Sequence, residues 1–221
     1  EKKGLKRIRY TTSHPKDMTN DLINAHRDCS KLMPLLHLPV QSGADKILKK
    51  MNRKHSIQDY LHIIEKLKEI NSKMEFSSDF IIGYPEEDSN DFNKTCDLMK
   101  KVKFINSYSF IFSPRPGTPA SELKNVDAKI AKQRLLIFQN ISGEIKLNYK
   151  KKLVKKNVKV LFENEVKDEY NYYFGRDEYQ NPVISYSKKN IIGEEKSVII
   201  KKVSQHTIYG EIEDNKGYLA A

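Results

Sequence analysis

The apolar positions of this chain change period along its length. Over residues 8–112, short apolar runs alternate with stretches in which hydrophobic residues recur every three or four positions, the pattern of strand followed by helix. Residues 8–12 read as a first strand, 17–30 as a helix and 35–40 as a second strand. A short helix over 44–51 precedes a longer one over 56–70. Ser56 caps the longer helix, with Asp59 at its third position, and Tyr60, Ile63, Ile64, Leu67 and Ile70 form its buried stripe. Residues 75–83 form a third strand, 89–102 a helix with Phe92, Cys96 and Met99 inward, and 108–112 a fourth strand. A long helix over 126–154 follows. Repeated strand–helix units imply a parallel sheet with right-handed crossovers. Four units do not close a barrel, so the pattern predicts an α/β partial (β/α) barrel lacking its first strands.

After that helix the texture changes. Alternating residues at 158–163, 172–176, 182–186, 196–203 and 207–212, separated by Gly or Asn turns, predict a small all-β barrel. The boundary falls near Lys152, giving domains over residues 1–152 and 153–215.

Length adds little to this picture: 221 residues suit one large domain or two modest ones. Charge adds more. Lys and Arg (40) exceed Asp and Glu (29), a net charge of +11. That balance points to an anionic partner, nucleic acid first; lysine used as generic solvated surface explains it equally well. Lys outnumbers Arg, which weakens any argument from bidentate phosphate recognition. With no apolar run of about 18 residues and no signal-peptide pattern, the chain is expected to be soluble, cytoplasmic and free of the membrane. Cys29 and Cys96 fit no metal spacing, so no metal ligands are expected in this chain, and no disulfide.

Candidate chemistry gathers at the strand ends. Loops at 12–15, 41–43, 83–87 and 113–117 follow four consecutive strands, and parallel strands place them on one rim, where α/β proteins bind ligands. His14 and His37 are candidate ligands or proton carriers, or structural histidines. Arg115, between two prolines, could clamp a carboxylate or phosphate, or form a surface ion pair. Asp79 within an apolar strand requires donors or a cation, and a hydrogen-bonding role toward the rim suits it. Asn52, Arg53 and Lys54 either bind phosphate or close a helix with favourable charge. In the β module, Tyr170, Tyr172, Tyr173, Phe174 and Arg176 mix aromatic faces with a cation, a composition suited to stacking on RNA bases and equally to ordinary strands. The acid-free lysine run through Lys151, Lys152, Lys155 and Lys156 tilts that reading toward RNA.

Four ordered motifs carry a resemblance: RIRYTTSHPKDM, HLPVQSGADKILKKMNRKHS, SSDFIIGYPEE and SFIFSPRPGTPA. Together they resemble the radical-SAM methylthiotransferases, and most the MiaB branch that modifies tRNA. The branches acting on ribosomal protein or on threonylcarbamoyl-adenosine are the alternatives. The trailing module is similar to a TRAM domain, an RNA-binding barrel. The resemblance implies addition of a methylthio group to C2 of N6-isopentenyladenosine beside the anticodon, with S-adenosylmethionine and two 4Fe-4S clusters. It also implies that Gln41 and Ser42 border the S-adenosylmethionine site, that Ile81, Gly83 and Glu87 support its adenine and ribose, and that Arg115 faces it. Lys151, Lys152, Lys155, Lys156, Tyr173 and Arg176 are then the expected RNA contacts.

Two departures qualify the match. The family loop reads Gly-Phe-Pro-Gly-Glu-Thr, whereas this chain has Gly83-Tyr84-Pro85-Glu86-Glu87-Asp88, which removes the second glycine from a tight turn. None of the six cluster cysteines is present, and thiolates are what hold such clusters. The expectation is a C-terminal fragment, inactive alone, whose partners are tRNA and the upstream N-terminal half of the same protein. A non-catalytic RNA-binding product is the other reading.

Overall fold

Alternation along one apolar run sets the architecture of the first half. Phe76, Phe80 and Ile82 are buried, while Asp79 and Ile81 between them stay partly open. In the computed structural model, which describes residues 4–11 and 14–213, this run is the middle strand of a three-stranded parallel sheet. The strands are β1 (Leu35–His37), β2 (Glu75–Ile82) and β3 (Asn106–Ile111), in the order β1-β2-β3. Helices α1 (Asn20–Asp28), α2 (Asp45–Lys50), α3 (Ile57–Ile70), α4 (Ser89–Val102) and α5 (Ala128–Lys151) intervene or follow.

The apolar face of β2 packs on helix side chains. The Phe80 ring meets Phe104 and Phe138 at centroid separations of 5.4 and 4.7 Å, inside a core that includes Leu36, Leu38, Tyr60, Leu67 and Met99. Reciprocal capping boxes start α3 (Ser56 and Asp59) and α4 (Asp88 and Asp91), each satisfying amides that a helix start leaves open. Asp127 caps α5 through Lys129 and Ile130.

The first expected strand is not one. Among its described residues, Ile8 and Thr11 form only isolated parallel bridges, to Leu32 and His37, while Thr12 and Ser13 lie outside the described residues. β1 also ends earlier than its apolar run. Pro39 has no amide to donate to a ladder, and Gln41 swings to φ 76. The described residues therefore hold a three-stranded parallel sheet where four strands were expected.

The chain divides by its internal contacts into compact units over residues 1–146 and 147–221. The second unit is a closed barrel of β4 (Asn157–Glu165), β5 (Tyr172–Arg176), β6 (Pro182–Tyr186), β7 (Glu195–Val203) and β8 (Ile208–Ile212), in the order β4-β5-β6-β8-β7. Only the β6–β8 pairing is parallel. Val160, Phe162, Tyr173, Val183, Val198, Ile200 and Ile208 fill it. Closure leaves no open sheet edge.

Replacing Phe80 by Ala should cost the first unit about 3–5 kcal/mol. Hydrogen exchange followed by mass spectrometry should show β2 and α4 losing protection while the β5 and β6 peptides keep theirs.

Candidate functional site

The rim of the parallel sheet is built from backbone turns that its sequence holds under strain. Gln41 adopts φ 76, a left-handed conformation that non-glycine residues rarely take. It is pinned there on both sides: its amide donates to the Asp79 carbonyl (3.0 Å), and its carbonyl accepts from Ile81 (2.9 Å). Ser42 is fully buried and turned into the protein. Its hydroxyl accepts from the Ala44 amide (3.2 Å) and lies 3.4 Å from Thr95 Oγ1. The Gly43 amide donates to the same Thr95 oxygen at 3.0 Å. A Cβ at Gly43 would sit 2.5 Å from the Lys94 carbonyl oxygen, so the QSG turn rests on α4 only as glycine.

The second turn is organised by a buried carboxylate. Glu87 accepts from the Gly83 amide at 3.1 Å and from Arg134 Nη1 at 2.9 Å, and Arg134 also reaches the Glu87 carbonyl at 3.0 Å. The guanidinium lies over the Phe92 ring at 5.6 Å. Burial pushes the Glu87 carboxyl above its usual range against the pull of these donors. Gly83 is left-handed at φ 70, with Ala131 packed against it. Glu86, standing where the motif's second glycine is expected, adopts φ 64. The turn is thus kept by a strained glutamate, which forms an ion pair with Lys50.

These turns open onto a cavity of about 740 Å³ lined by Gln41, Arg53, Asp79, Ile81, Tyr84, Phe110 and Arg115, among others. Three of the expected cofactor residues, Gln41, Ile81 and Arg115, therefore share one pocket. Ser42, Gly83 and Glu87 do not line it; they hold the turns that do. His37 is tied down beside it, Nδ1 lying 3.0 Å from Ser77 Oγ and Nε2 3.4 Å from Asp79 Oδ2.

Arg53 is the wall residue that motif reading placed least well. Its Nη2 donates to the Pro39 carbonyl at 2.9 Å, while its Nε is buried without a partner. Beside it sits His55, near the end of the HLPVQSGADKILKKMNRKHS motif but given no role by it. The His55 ring meets His14 edge to face at 5.0 Å and leans on Tyr60, and both of its nitrogens are buried without partners. Burial, reinforced by the charges of His14 and Arg53, pushes its pKa down to about 4.

Just ahead of the barrel, Lys151 at the end of α5 and Lys152, Lys155 and Lys156 before β4 are exposed. Arg176 lies over the Phe174 ring at 5.2 Å, with its Nε 3.4 Å from Glu163. Tyr173 is 6% exposed and belongs to the barrel interior, so its ring offers no free face; Tyr172 beside it is the outward one. Neither cysteine suits a metal cluster. Cys96 is buried, its thiol pushed up to about 11, and among the described residues no group of three or more metal-ligating side chains occurs. No helix among the described residues is long and apolar enough to cross a membrane.

Two outcomes follow from this geometry. An NMR titration of the His55 ring should give a pKa near 4, against 6.5 for an unperturbed histidine. Because the unfolded chain takes up that proton first, the first unit should lose stability as pH falls from 6.5 toward 4, and His55→Gln should reduce this loss, leaving the share of His14 and His26, which burial also shifts downward. Replacing Glu86 by Gly should be neutral to stabilising by up to about 1 kcal/mol in a chemical melt, since relief of the left-handed strain outweighs a surface ion pair.

Residues 1–99 match the profile of the radical SAM superfamily. The tRNA-2-methylthio-N(6)-dimethylallyladenosine synthase of Pelagibacter ubique (strain HTCC1062) is 56% identical over 213 residues, covering 96% of this chain and 47% of that protein. The synthase of the same name from Neorickettsia sennetsu is 43% identical over 211 residues, covering 96% and 44%. Among solved structures, coproporphyrinogen III oxidase from Escherichia coli, described as a radical SAM enzyme, superposes with a TM-score of 0.51 at 13% identity, over 89% of this chain and 46% of that one, a likeness of fold alone. The chain spans about half the length of the curated relatives it matches. Nearly the whole chain is thus similar to these methylthioadenosine synthases, and its residues 1–99 to the radical SAM superfamily.

Proposed function

We propose that this chain supplies the later part of the catalytic barrel and the RNA-binding end of a cytoplasmic tRNA methylthiotransferase. On this reading residues 1–152 belong to a partial (β/α) barrel and residues 153–215 to a TRAM-type barrel. The enzyme adds a methylthio group to C2 of N6-isopentenyladenosine next to the anticodon. The observation that carries the reading is the rim pocket: Gln41, Ile81 and Arg115 converge on it in a chain 56% identical to a synthase of that reaction.

The pocket's chemistry fits S-adenosylmethionine, which supplies radical and methyl-transfer chemistry when bound in this superfamily. Ile81, Tyr84 and Phe110 give an apolar wall for an adenine, and Asp79 offers a carboxylate to hydroxyl donors. Arg53 and Arg115 bring guanidinium forks, the group best matched to a carboxylate. The orphaned Arg53 Nε supports a polar ligand there, because a buried donor without a partner costs about 1–3 kcal/mol. Ser42, Gly83 and Glu87 act one step back, fixing the two turns that shape the wall.

The 4Fe-4S clusters do not fit the side chains of this chain, whose two cysteines, Cys29 and Cys96, are too few to hold one. Their ligands belong to the upstream half of the same protein. Lys151, Lys152, Lys155 and Lys156, ahead of the barrel, and Arg176 on β5 are the cations offered to tRNA, while Tyr173 packs inside the barrel beneath its strands.

A chimera tests the reading. Joining this chain to the upstream half of the Pelagibacter synthase should yield 2-methylthio-N6-isopentenyladenosine in tRNA digests examined by mass spectrometry. Arg53→Ala and Arg115→Ala should each lower product formation roughly tenfold or more, the scale of a lost charged hydrogen bond. A folded chimera that makes no product would contradict it.

A further inference from the structure

The barrel's outward surface is not uniform. Across β5, β6 and β8 the register places Tyr172 opposite Tyr186, and Phe174, Ile184 and Tyr209 in one row. All five side chains lie on the solvent side, because strand alternation sends Tyr173, Val183, Ser185 and Ile208 into the interior. Tyr172, Tyr186 and Tyr209 are 38%, 47% and 40% exposed. The Tyr172 and Tyr186 rings meet edge to face at 5.5 Å, which holds them at a fixed mutual angle. Three neighbouring strands that expose this much aromatic surface on a small barrel form a patch that calls for an occupant.

Charge indicates which occupant. A cation stands at each end of the aromatic row. Arg176 covers the Phe174 ring, and Lys202 is the exposed register partner of Tyr209 on β7. Glu163 lies 3.4 Å from Arg176 and Glu211 2.8 Å from Lys201, so carboxylates beside the row sit within ion pairs. Aromatic faces bracketed by cations suit a polyanion whose planar groups are unpaired. Bases in a duplex have no free faces to offer, whereas bases in a loop do.

We propose that the outer face of β5, β6 and β8 is a stacking platform for unpaired nucleotides of an RNA, with Tyr172, Tyr186 and Tyr209 as its rings and Arg176 and Lys202 as its phosphate contacts. This rests on the RNA-binding reading of the barrel and gives it a face. The lysines around 151–156 supply sequence-independent attraction, whereas the platform distinguishes looped from paired RNA.

Fluorescence anisotropy of the whole chain tests the platform, using a labelled RNA hairpin with an unpaired loop and a fully paired duplex of the same stem over a series of salt concentrations. The unsubstituted chain should prefer the hairpin. Tyr172→Ala, Tyr186→Ala and Tyr209→Ala should each weaken hairpin binding roughly fivefold to a hundredfold without changing the salt slope or duplex binding. The corresponding Phe variants, which keep the ring, should bind normally and confirm that the barrel is folded. Changing Lys151, Lys152, Lys155 and Lys156 together to Gln should flatten the salt slope and weaken both RNAs alike. If the lysine variant loses RNA and the Ala variants do not, the platform is overturned and the RNA-binding reading stands. Failure of the unsubstituted chain to bind either RNA overturns both. If the Ala variants instead abolish a concentration-dependent self-association and leave RNA binding intact, the face is a protein contact and the proposal fails.

Discussion

The buried Glu87 carboxylate is the constraint on which the first unit's functional edge depends. A carboxylate removed from water survives only with donors around it, and here they come from two distant parts of the chain. The Gly83 amide is supplied by the turn after β2, and the Arg134 guanidinium by α5. One side chain thereby ties the turn that ends β2 to the long helix α5. Ile81 and Tyr84, on either side of the fixed turn, line the pocket. Loss of Arg134 would strand an uncompensated buried charge, a cost of about 3–5 kcal/mol.

Strain is concentrated around the same edge. Gln41, Asn52 and Glu86 all hold left-handed backbone, each at a cost of order 1 kcal/mol or more. Gln41 and Asn52 are pocket residues, and Glu86 lies in the turn beside them. The surrounding hydrogen bonds offset that cost and preorganise the wall before a ligand arrives. Three aromatic contacts about Phe80 and Phe104 beneath the sheet supply the rigid base on which such turns persist.

Much of this was legible in the order of residues. The capping pair Ser56 and Asp59, the span of α4 and the limits of β5 and β6 follow from cap chemistry and alternation. The convergence of Gln41, Ile81 and Arg115 follows from parallel topology. Other features were hidden for physical reasons. The period of a strand is visible in Tyr172-Tyr173-Phe174, but its phase is not, so the sequence could not say that Tyr173 would be the inward ring. Residues 8–12 have a strand's composition, yet among the described residues 8–11 only Ile8 and Thr11 pair, each in an isolated bridge. Ser42 looked like a ligand group and is a turn anchor, because its partner Thr95 comes from a helix more than fifty positions away. His55 lies within a quoted motif, yet its burial comes from packing against His14 and Tyr60, and the fold is what brings the distant His14 to it.

The central claim is that the C-terminal rim of the parallel sheet is the cofactor pocket. It is tested most directly by titrating S-adenosylhomocysteine, the stable demethylated form of the cofactor, into the isotopically labelled chain and mapping amide shifts. Shifts clustered at Gln41, Arg53, Ile81, Tyr84 and Arg115, and reduced by Arg53→Ala, are the expected result. Shifts confined to the barrel or to the helical side of the sheet, with those rim amides unmoved at saturation, would contradict it.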